Sequence, residues 1–177
     1  MTSDGSHPSW GASCRWLAAE KWKAKSAALG GDLTRALLEY ARPQPGMKVL
    51  DLGSGTGEPA ISLAPLPAPA GEVTALDLNP ELLAMARQRA HQRGLGNFST
   101  RAGDANHLPF ADASFDLVTC RLGVMFLRED ALREAYRVLK PGGRVCFAAW
   151  GPFAQPYWST TIGIVHQPVG GPLTPPG

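Results

Sequence analysis

Charge is scarce in this sequence, cysteine is scarcer, and long apolar runs are absent. Only 18% of the residues are charged, and 17 basic against 15 acidic side chains leave a formal charge of +2. So small a field excludes nucleic-acid binding driven by phosphate neutralisation. The three cysteines, Cys14, Cys120 and Cys146, are odd in number, and two lie inside apolar runs. That pattern points to reduced thiols rather than a disulfide framework. No spacing of Cys and His matches a metal site. No run is long enough to span a bilayer, and no basic segment with an apolar core opens the chain. The expectation is a cytoplasmic protein with no transmembrane segment. What is present, 177 residues of which 44% are hydrophobic, suffices for one domain with a buried core.

Glycine is where the sequence is specific. The stretch Val49-Leu50-Asp51-Leu52-Gly53-Ser54-Gly55-Thr56-Gly57-Glu58-Pro59 reads as a buried strand, a glycine turn and the opening of a helix. Glycine accepts positive φ and leaves bare backbone for a ligand to lie against, and a helix start offers unpaired N–H groups. Such a turn makes a ligand shelf at the carboxyl end of a parallel sheet. A dinucleotide suits it poorly. The third glycine, Gly57, comes one place early, and Glu58 fills the position where the dinucleotide fingerprint needs glycine. Asp51, two residues before the first glycine, repels a pyrophosphate and suits a cationic ligand. The alternative is a tight turn with no ligand.

Along the chain, residues 1–12 are polar, and a helical segment spans about Ser13 to Leu29. Gly30-Gly31 breaks it, and Asp32 caps a second helix from Leu33 to Arg42, stopped by Pro43. After the shelf, Pro59 to Ala64 form a helix cut short by Pro65, Pro67 and Pro69. Glu72 to Asp77 is a second strand, and Asn79-Pro80 opens a helix from Glu81 to Arg93. Asn97 to Ala102, Phe115 to Cys120 and Arg144 to Trp150 are further strands, with a helix from Arg128 to Leu139 before the last. Strands alternating with helices imply an α/β fold with a parallel sheet and right-handed crossovers.

Asp77 lies 24 residues after Gly53 and ends the second strand. A carboxylate there can accept both ribose hydroxyls of an adenosine or cap the helix at Pro80. Asp104, past the third strand, can accept from an adenine amino group while the Ala105 N–H faces a ring nitrogen; Gly-Asp is also ordinary turn usage. The ordered series Asp51-x-Gly53-x-Gly55-x-Gly57, Leu76-Asp77, Gly103-Asp104-Ala105, Phe115-Asp116-Leu117-Val118 and Arg137-Val138-Leu139-Lys140-Pro141-Gly142-Gly143 resembles the motif series of Rossmann-like S-adenosylmethionine-dependent methyltransferases. The resemblance is closest to the ubiquinone and menaquinone biosynthesis C-methyltransferases and covers roughly residues 31 to 160. It implies a three-layer methyltransferase fold, S-adenosylmethionine as cofactor and methyl transfer to a small organic acceptor by in-line displacement. By the same likeness Gly53, Ser54, Gly55 and Gly57 border the methionine moiety, Asp77 with Leu78 the ribose, and Asp104 with Ala105 the adenine. Arg121 meets the cofactor's carboxylate or caps the sheet edge. No catalytic base is assigned among His7, His91, His107 and His166.

The resemblance divides the chain into an N-terminal arm and helix (1–30), a cofactor-binding core (31–150) and a short C-terminal segment (151–177). The family closes its sheet with two further strands, and only 27 residues follow Trp150, with Tyr157 to Gln167 able to form one helix. Closing strands are therefore expected to be missing, leaving the fifth strand as an apolar edge for a second copy or a partner chain to cover. Trp150, Phe153, Tyr157 and Trp158 suit a lipophilic, quinone-like acceptor, or close the core. The alternative is a partner-dependent or non-catalytic S-adenosylmethionine-binding module; a nucleotide-dependent oxidoreductase suffers from Glu58 and Asp51.

Overall fold

The computed structural model describes residues 30–149. Helix α1 (30–41) comes first, followed by β1 (Lys48–Leu52), α2 (Ala60–Leu63), β2 (Glu72–Asp77), α3 (Pro80–Gln92) and β3 (Phe98–Ala102). Then come β4 (Phe115–Arg121), a 3-10 turn (Gly123–Phe126), α4 (Glu129–Val138) and β5 (Leu139–Ala148). All four strand pairings are parallel and the order is β3-β2-β1-β4-β5. The expected α/β architecture is therefore present. The strand order reverses direction at β1 and β4, and ligands of open parallel sheets bind at the carboxyl ends beside such a switch.

Both faces of the sheet are covered, which is why β1 carries no polar residue but Asp51 among its last four; a parallel strand buried on two sides cannot alternate. On one face Val49, Val73, Ala75 and Leu117 pack with Leu37 and Ala41 of α1, Ala60 and Leu63 of α2, and Leu83 of α3. On the other, Leu50, Leu52, Leu76 and Val118 pack with Ala131, Ala135 and Val138 of α4. Each fully buried Leu or Val stabilises the fold by roughly 1.5–3 kcal/mol. Helix, sheet, helix: three layers.

Asn79 starts α3, its side chain accepting from the N–H of Glu81 and Leu82, with Pro80 in the first turn where no N–H is needed. At the opposite, amino-terminal ends of the strands, Asp116 accepts from Lys140 Nζ at 2.8 Å and from the Lys48 N–H at 2.8 Å. One carboxylate thus joins β1, β4 and β5.

Two expectations are corrected. Gly30 and Gly31 are helical and belong to α1, which was expected to start only at Leu33; the expected helix from Ser13 to Leu29 lies outside the described residues. A Cβ on Gly30 would lie 2.9 Å from Arg121 Nη1, the far end of the side chain that donates to the Gly30 carbonyl. Asp32 consequently lies within the helix, paired with Arg35 at 2.8 Å on the exposed face instead of capping. The second correction concerns β5, which starts at Leu139 rather than Arg144 and runs through Pro141-Gly142-Gly143. The register is irregular between Phe115 and Leu117, and Gly142 takes φ +80°. An irregularity tolerates a proline that lacks an N–H and a glycine at positive φ. The N-terminal tryptophans, Trp150, the aromatics after it, His7 and His166 lie outside the described residues. Among the described residues no helix is long and apolar enough to cross a membrane.

Candidate functional site

The glycine turn sits where β1 ends, and each of its glycines has positive φ: +62° at Gly53, +54° at Gly55 and +109° at Gly57. They do different jobs. No heavy atom lies within 4 Å of where a Cβ on Gly55 would stand, and the nearest to one on Gly53 is Gly123 Cα at 3.7 Å. The first two glycines leave backbone bare to open space. A Cβ on Gly57 would meet Ile61 Cδ1 at 2.5 Å and Ala86 Cβ at 3.1 Å, so this glycine lets α2 and α3 pack against the turn. It performs, one place early, the helix-packing task of the dinucleotide fingerprint's last glycine.

Glu58, the residue in that expected position, is held by its neighbours. Its carboxylate accepts from Ser62 Oγ at 2.7 Å and pairs with Arg89 and Arg93 at 3.8 and 3.9 Å. Arg89 also donates to the Thr56 carbonyl at 2.7 Å. The far side of the turn is thereby braced against α3. The N–H groups expected to be free at the start of α2 are partly used, because the Ile61 N–H donates to Gly57 O at 2.7 Å.

Of the later motifs' carboxylates, Asp77 contacts this turn directly, and the loop carrying Asp104 is tied to Asp77. Asp77, at the end of β2, accepts from the Gly55 N–H through Oδ2 at 2.8 Å and from the Asn79 N–H through Oδ1 at 2.9 Å. It does not cap α3; Asn79 does. Leu78 beside it is 72% exposed, a large apolar side chain laid open next to the turn. The Asp77 carbonyl accepts from the Gly103 N–H at 3.1 Å, which hangs the loop after β3 on the same point. In that loop Asp104 Oδ1 accepts from the Asn106 N–H at 2.9 Å and from Asn106 Nδ2 at 2.7 Å. The Asn106 N–H, outweighing some burial, holds the Asp104 carboxyl below its ordinary range. Both bonds fall on one oxygen, so Oδ2 is spare. Ala105 is buried in the core.

Asp51 differs from these. It is wholly buried, with Oδ1 accepting from Thr119 Oγ1 at 2.8 Å and Oδ2 lacking a partner; Ser54 Oγ is likewise buried and unpartnered. Burial raises its pKa from 3.8 to about 7, against the opposing effects of the Thr119 and Ser54 hydroxyls, the Arg121 charge and the Ala60 N–H. The sequence reading treated this side chain as a plain anion. Desolvation disfavours its charge and pushes it well above the ordinary carboxylate range. Arg121 donates through Nη1 to Thr34 Oγ1 at 2.7 Å and to the Gly30 carbonyl at 3.2 Å, fixing α1 beside the carboxyl end of β4.

Sequence reasoning missed Thr119, Arg89 and Arg137. Arg137 forks onto Glu134 through Nε and Nη2, each at 2.7 Å, and donates to Phe110 O at 2.9 Å, to Leu108 O at 3.1 Å and to Asp112 at 2.6 Å. It straps the loop after β3 to α4. Its pairing with Glu134 is a local i, i+3 contact on α4, but Leu108, Phe110 and Asp112 lie 25–29 residues away, out of reach of any local signal. His91 and His107 are exposed, and the charge of His107 is felt weakly by Asp104 and Glu134. Among the described residues no three His, Cys, Asp or Glu side chains gather as a metal site. A cavity of about 430 Å³ lies between α1 and β5, lined by Tyr40, Arg42, Arg144, Val145 and Cys146. It contains no carboxylate and none of the motif residues.

With this geometry in place, comparison with known proteins is decisive. A family model described as a methyltransferase domain matches residues 50–147. The chain belongs to this family. The ubiquinone/menaquinone biosynthesis C-methyltransferase UbiE of Ectopseudomonas mendocina is 39% identical over 165 residues, which is 88% of this chain and 64% of the relative. The chain thus spans less than two thirds of the length of the curated relatives it matches. The solved [4+2]-cyclase SpnF shares 33% identity with a TM-score of 0.60, covering 66% of this chain and 43% of its own. The phosphoethanolamine N-methyltransferase 2 of Haemonchus contortus, solved with S-adenosyl-L-methionine, shares 26% identity with a TM-score of 0.61, covering 75% and 32%. S-adenosylmethionine is the cofactor that goes with this methyltransferase domain. The residues present fit such a group: bare backbone at Gly53 and Gly55, a spare oxygen on Asp104, and orphaned polar atoms on Asp51 and Ser54.

Proposed function

We propose that this chain transfers a methyl group from S-adenosylmethionine to a small organic acceptor of lipophilic, quinone-like character. The observation that carries the reading is the hydrogen bond from Gly55 to Asp77 with the Asp104 loop suspended from the same residue. It brings a bare-backbone turn and two carboxylates to one sheet end. When bound, the cofactor supplies a methyl already made electrophilic by a sulfonium. The chain's own task is then to hold, orient and exclude water. Gly53, Ser54, Gly55 and Gly57 border the methionine end. Asp77 and Leu78 hold the ribose, Asp104 and Ala105 take the adenine edge, and Arg121 sets α1 against the pocket. No residue is assigned as a base; one is needed only for an acceptor that must lose a proton.

The resemblance to UbiE, named for ubiquinone and menaquinone biosynthesis, supports the quinone-like acceptor. Residues 31–150 form the cofactor-binding core in this reading, and the protein works in the cytoplasm. β5 is an edge of the sheet among the described residues, with Val145 44% exposed, and a second copy or partner chain pairs there. Incubating the chain with methyl-labelled S-adenosylmethionine and a demethylmenaquinone analogue tests the proposal; label in the quinone supports it, and its absence with intact cofactor binding rejects the acceptor class. A second reading is favoured by SpnF, a solved neighbour named as a cyclase: a cofactor-binding module that performs no methyl transfer. Cofactor binding without labelled product from any cell-extract acceptor would favour it.

A further inference from the structure

Thr119 lies in none of the glycine or acidic motifs, yet it is the partner of the most buried carboxyl in the site. Asp51 and Thr119 face each other as register partners across the β1–β4 ladder, both with no exposed surface. The threonine hydroxyl occupies Oδ1 at 2.8 Å. Among the described residues Oδ2 and the neighbouring Ser54 Oγ make no well-formed hydrogen bond in the interior, although the Ser54 hydroxyl and the Ala60 N–H lie near enough to favour the anion. An unsatisfied buried oxygen is costly, and more so when charged. A carboxyl so placed prefers its neutral form until a positive charge arrives nearby to stabilise the anion through the low-dielectric interior.

We propose that Thr119, Asp51 and Ser54 form a buried proton-linked clamp beneath the glycine turn, in which Thr119 is the positioning residue. Asp51 exchanges its proton for the positive charge of the ligand settling on the turn. The O–H bond of the carboxyl breaks, the proton passes to solvent, and the carboxylate remains held by Thr119 as the counter-charge. This rests on the S-adenosylmethionine reading, whose ligand carries an ammonium and a sulfonium. The other charged and titratable groups facing the cluster are consistent with it. Arg121 at the end of β4 and the Ala60 N–H favour the anion without neutralising it. Asp77 is engaged by the N–H groups of Gly55 and Asn79. Cys120 is pushed up to about 12 by burial and by the Asp51 charge, so its thiol keeps its proton.

The test is calorimetric titration of the whole chain with S-adenosylmethionine at pH 6.5 in buffers of different ionisation enthalpy. Wild type should release more than about half a proton per ligand, and Asp51→Asn none. Thr119→Val should weaken binding about eightfold at pH 6.5, narrowing to about twofold at pH 8, as expected if losing the hydroxyl raises the carboxyl by about one unit. Thr119→Ser should restore the wild-type profile. Proton-neutral binding by wild type overturns the clamp, even if Thr119→Val fails to fold. So does a Thr119→Val loss equal at both pH values, which marks a merely structural role. Failure of wild type to bind at any pH defeats the cofactor reading, and the clamp with it.

Discussion

The Gly55 N–H donates to Asp77 Oδ2 at 2.8 Å, tying the glycine turn after β1 to the end of β2. One carboxylate therefore shapes the turn and offers its remaining lone pairs to whatever lies on it. Asp77→Ala should weaken binding of S-adenosylhomocysteine by roughly 1–3 kcal/mol, since it removes acceptors for ligand hydroxyls and frees the turn. Calorimetric affinity checks this, and an unchanged dissociation constant would remove Asp77 from the ribose site.

The three glycines should not be equally sensitive to alanine. Gly57→Ala combines φ +109° with a clash on Ile61 and Ala86, and should cost about 3 kcal/mol or more. Gly55→Ala has the same handedness of backbone but open space, and should cost only about 1 kcal/mol. Urea unfolding midpoints give the comparison. Cofactor affinity should show the reverse emphasis, because a methyl on Gly55 projects into the space assigned to the ligand.

Acid and base should act on stability through opposite limbs. Asp51 has its folded pKa raised from 3.8 to about 7, so the native state binds the extra proton and stability falls as pH climbs between those values. The loss from this group is roughly 4 kcal/mol. Glu134 behaves oppositely. The Arg137 side chain lowers it from 4.5 to about 2, so its contribution is present above 4.5 and lost as pH falls towards 2. Asp51→Asn should flatten the limb between pH 4 and 7, and Glu134→Gln the acid limb. Denaturant midpoints across that range measure both.

Arg137 should matter more than its place at the end of α4 suggests. Arg137→Ala leaves the carbonyls of Leu108 and Phe110 and the carboxylate of Glu134 short of a donor. A loss of about 2–4 kcal/mol in stability is expected, with faster amide exchange in residues 104–112. Arg137→Lys should recover little, because an ammonium cannot reproduce the planar fork.

The fold was legible where pattern and punctuation agreed. β2 was bounded correctly from Gly71 before it and Asn79-Pro80 after it, because a buried strand and a proline-started helix each have local causes. β5 was misjudged at its start because Pro-Gly-Gly signals a break locally, while pairing with β4 carries the strand through an irregularity. Gly30-Gly31 misled because glycine disfavours helix interiors locally, yet both residues are helical in α1, where Arg121 donates to the Gly30 carbonyl from ninety-one residues on. In the site, the motif order pointed to Asp51, Asp77 and Asp104, and the structure puts all three at or just past the carboxyl ends of strands. Spacing could not show that Asp51 is sealed from water, nor that Thr119 is its partner, because burial and cross-strand register are properties of the assembled sheet. Asp116 and Lys140, both within motifs, turn out to pair with each other at the far end of the strands. Motif residues thus include ones that hold the sheet together far from the glycine turn.

The central claim is that the acid-and-glycine turn receives a cationic nucleoside rather than a dinucleotide. Parallel calorimetric titrations of the chain with S-adenosylhomocysteine and with NAD test it most directly. The account predicts one-to-one binding of S-adenosylhomocysteine, weakened in Asp77→Ala by roughly 1–3 kcal/mol, and no heat of binding with NAD. Saturable binding of NAD with none of S-adenosylhomocysteine would contradict it.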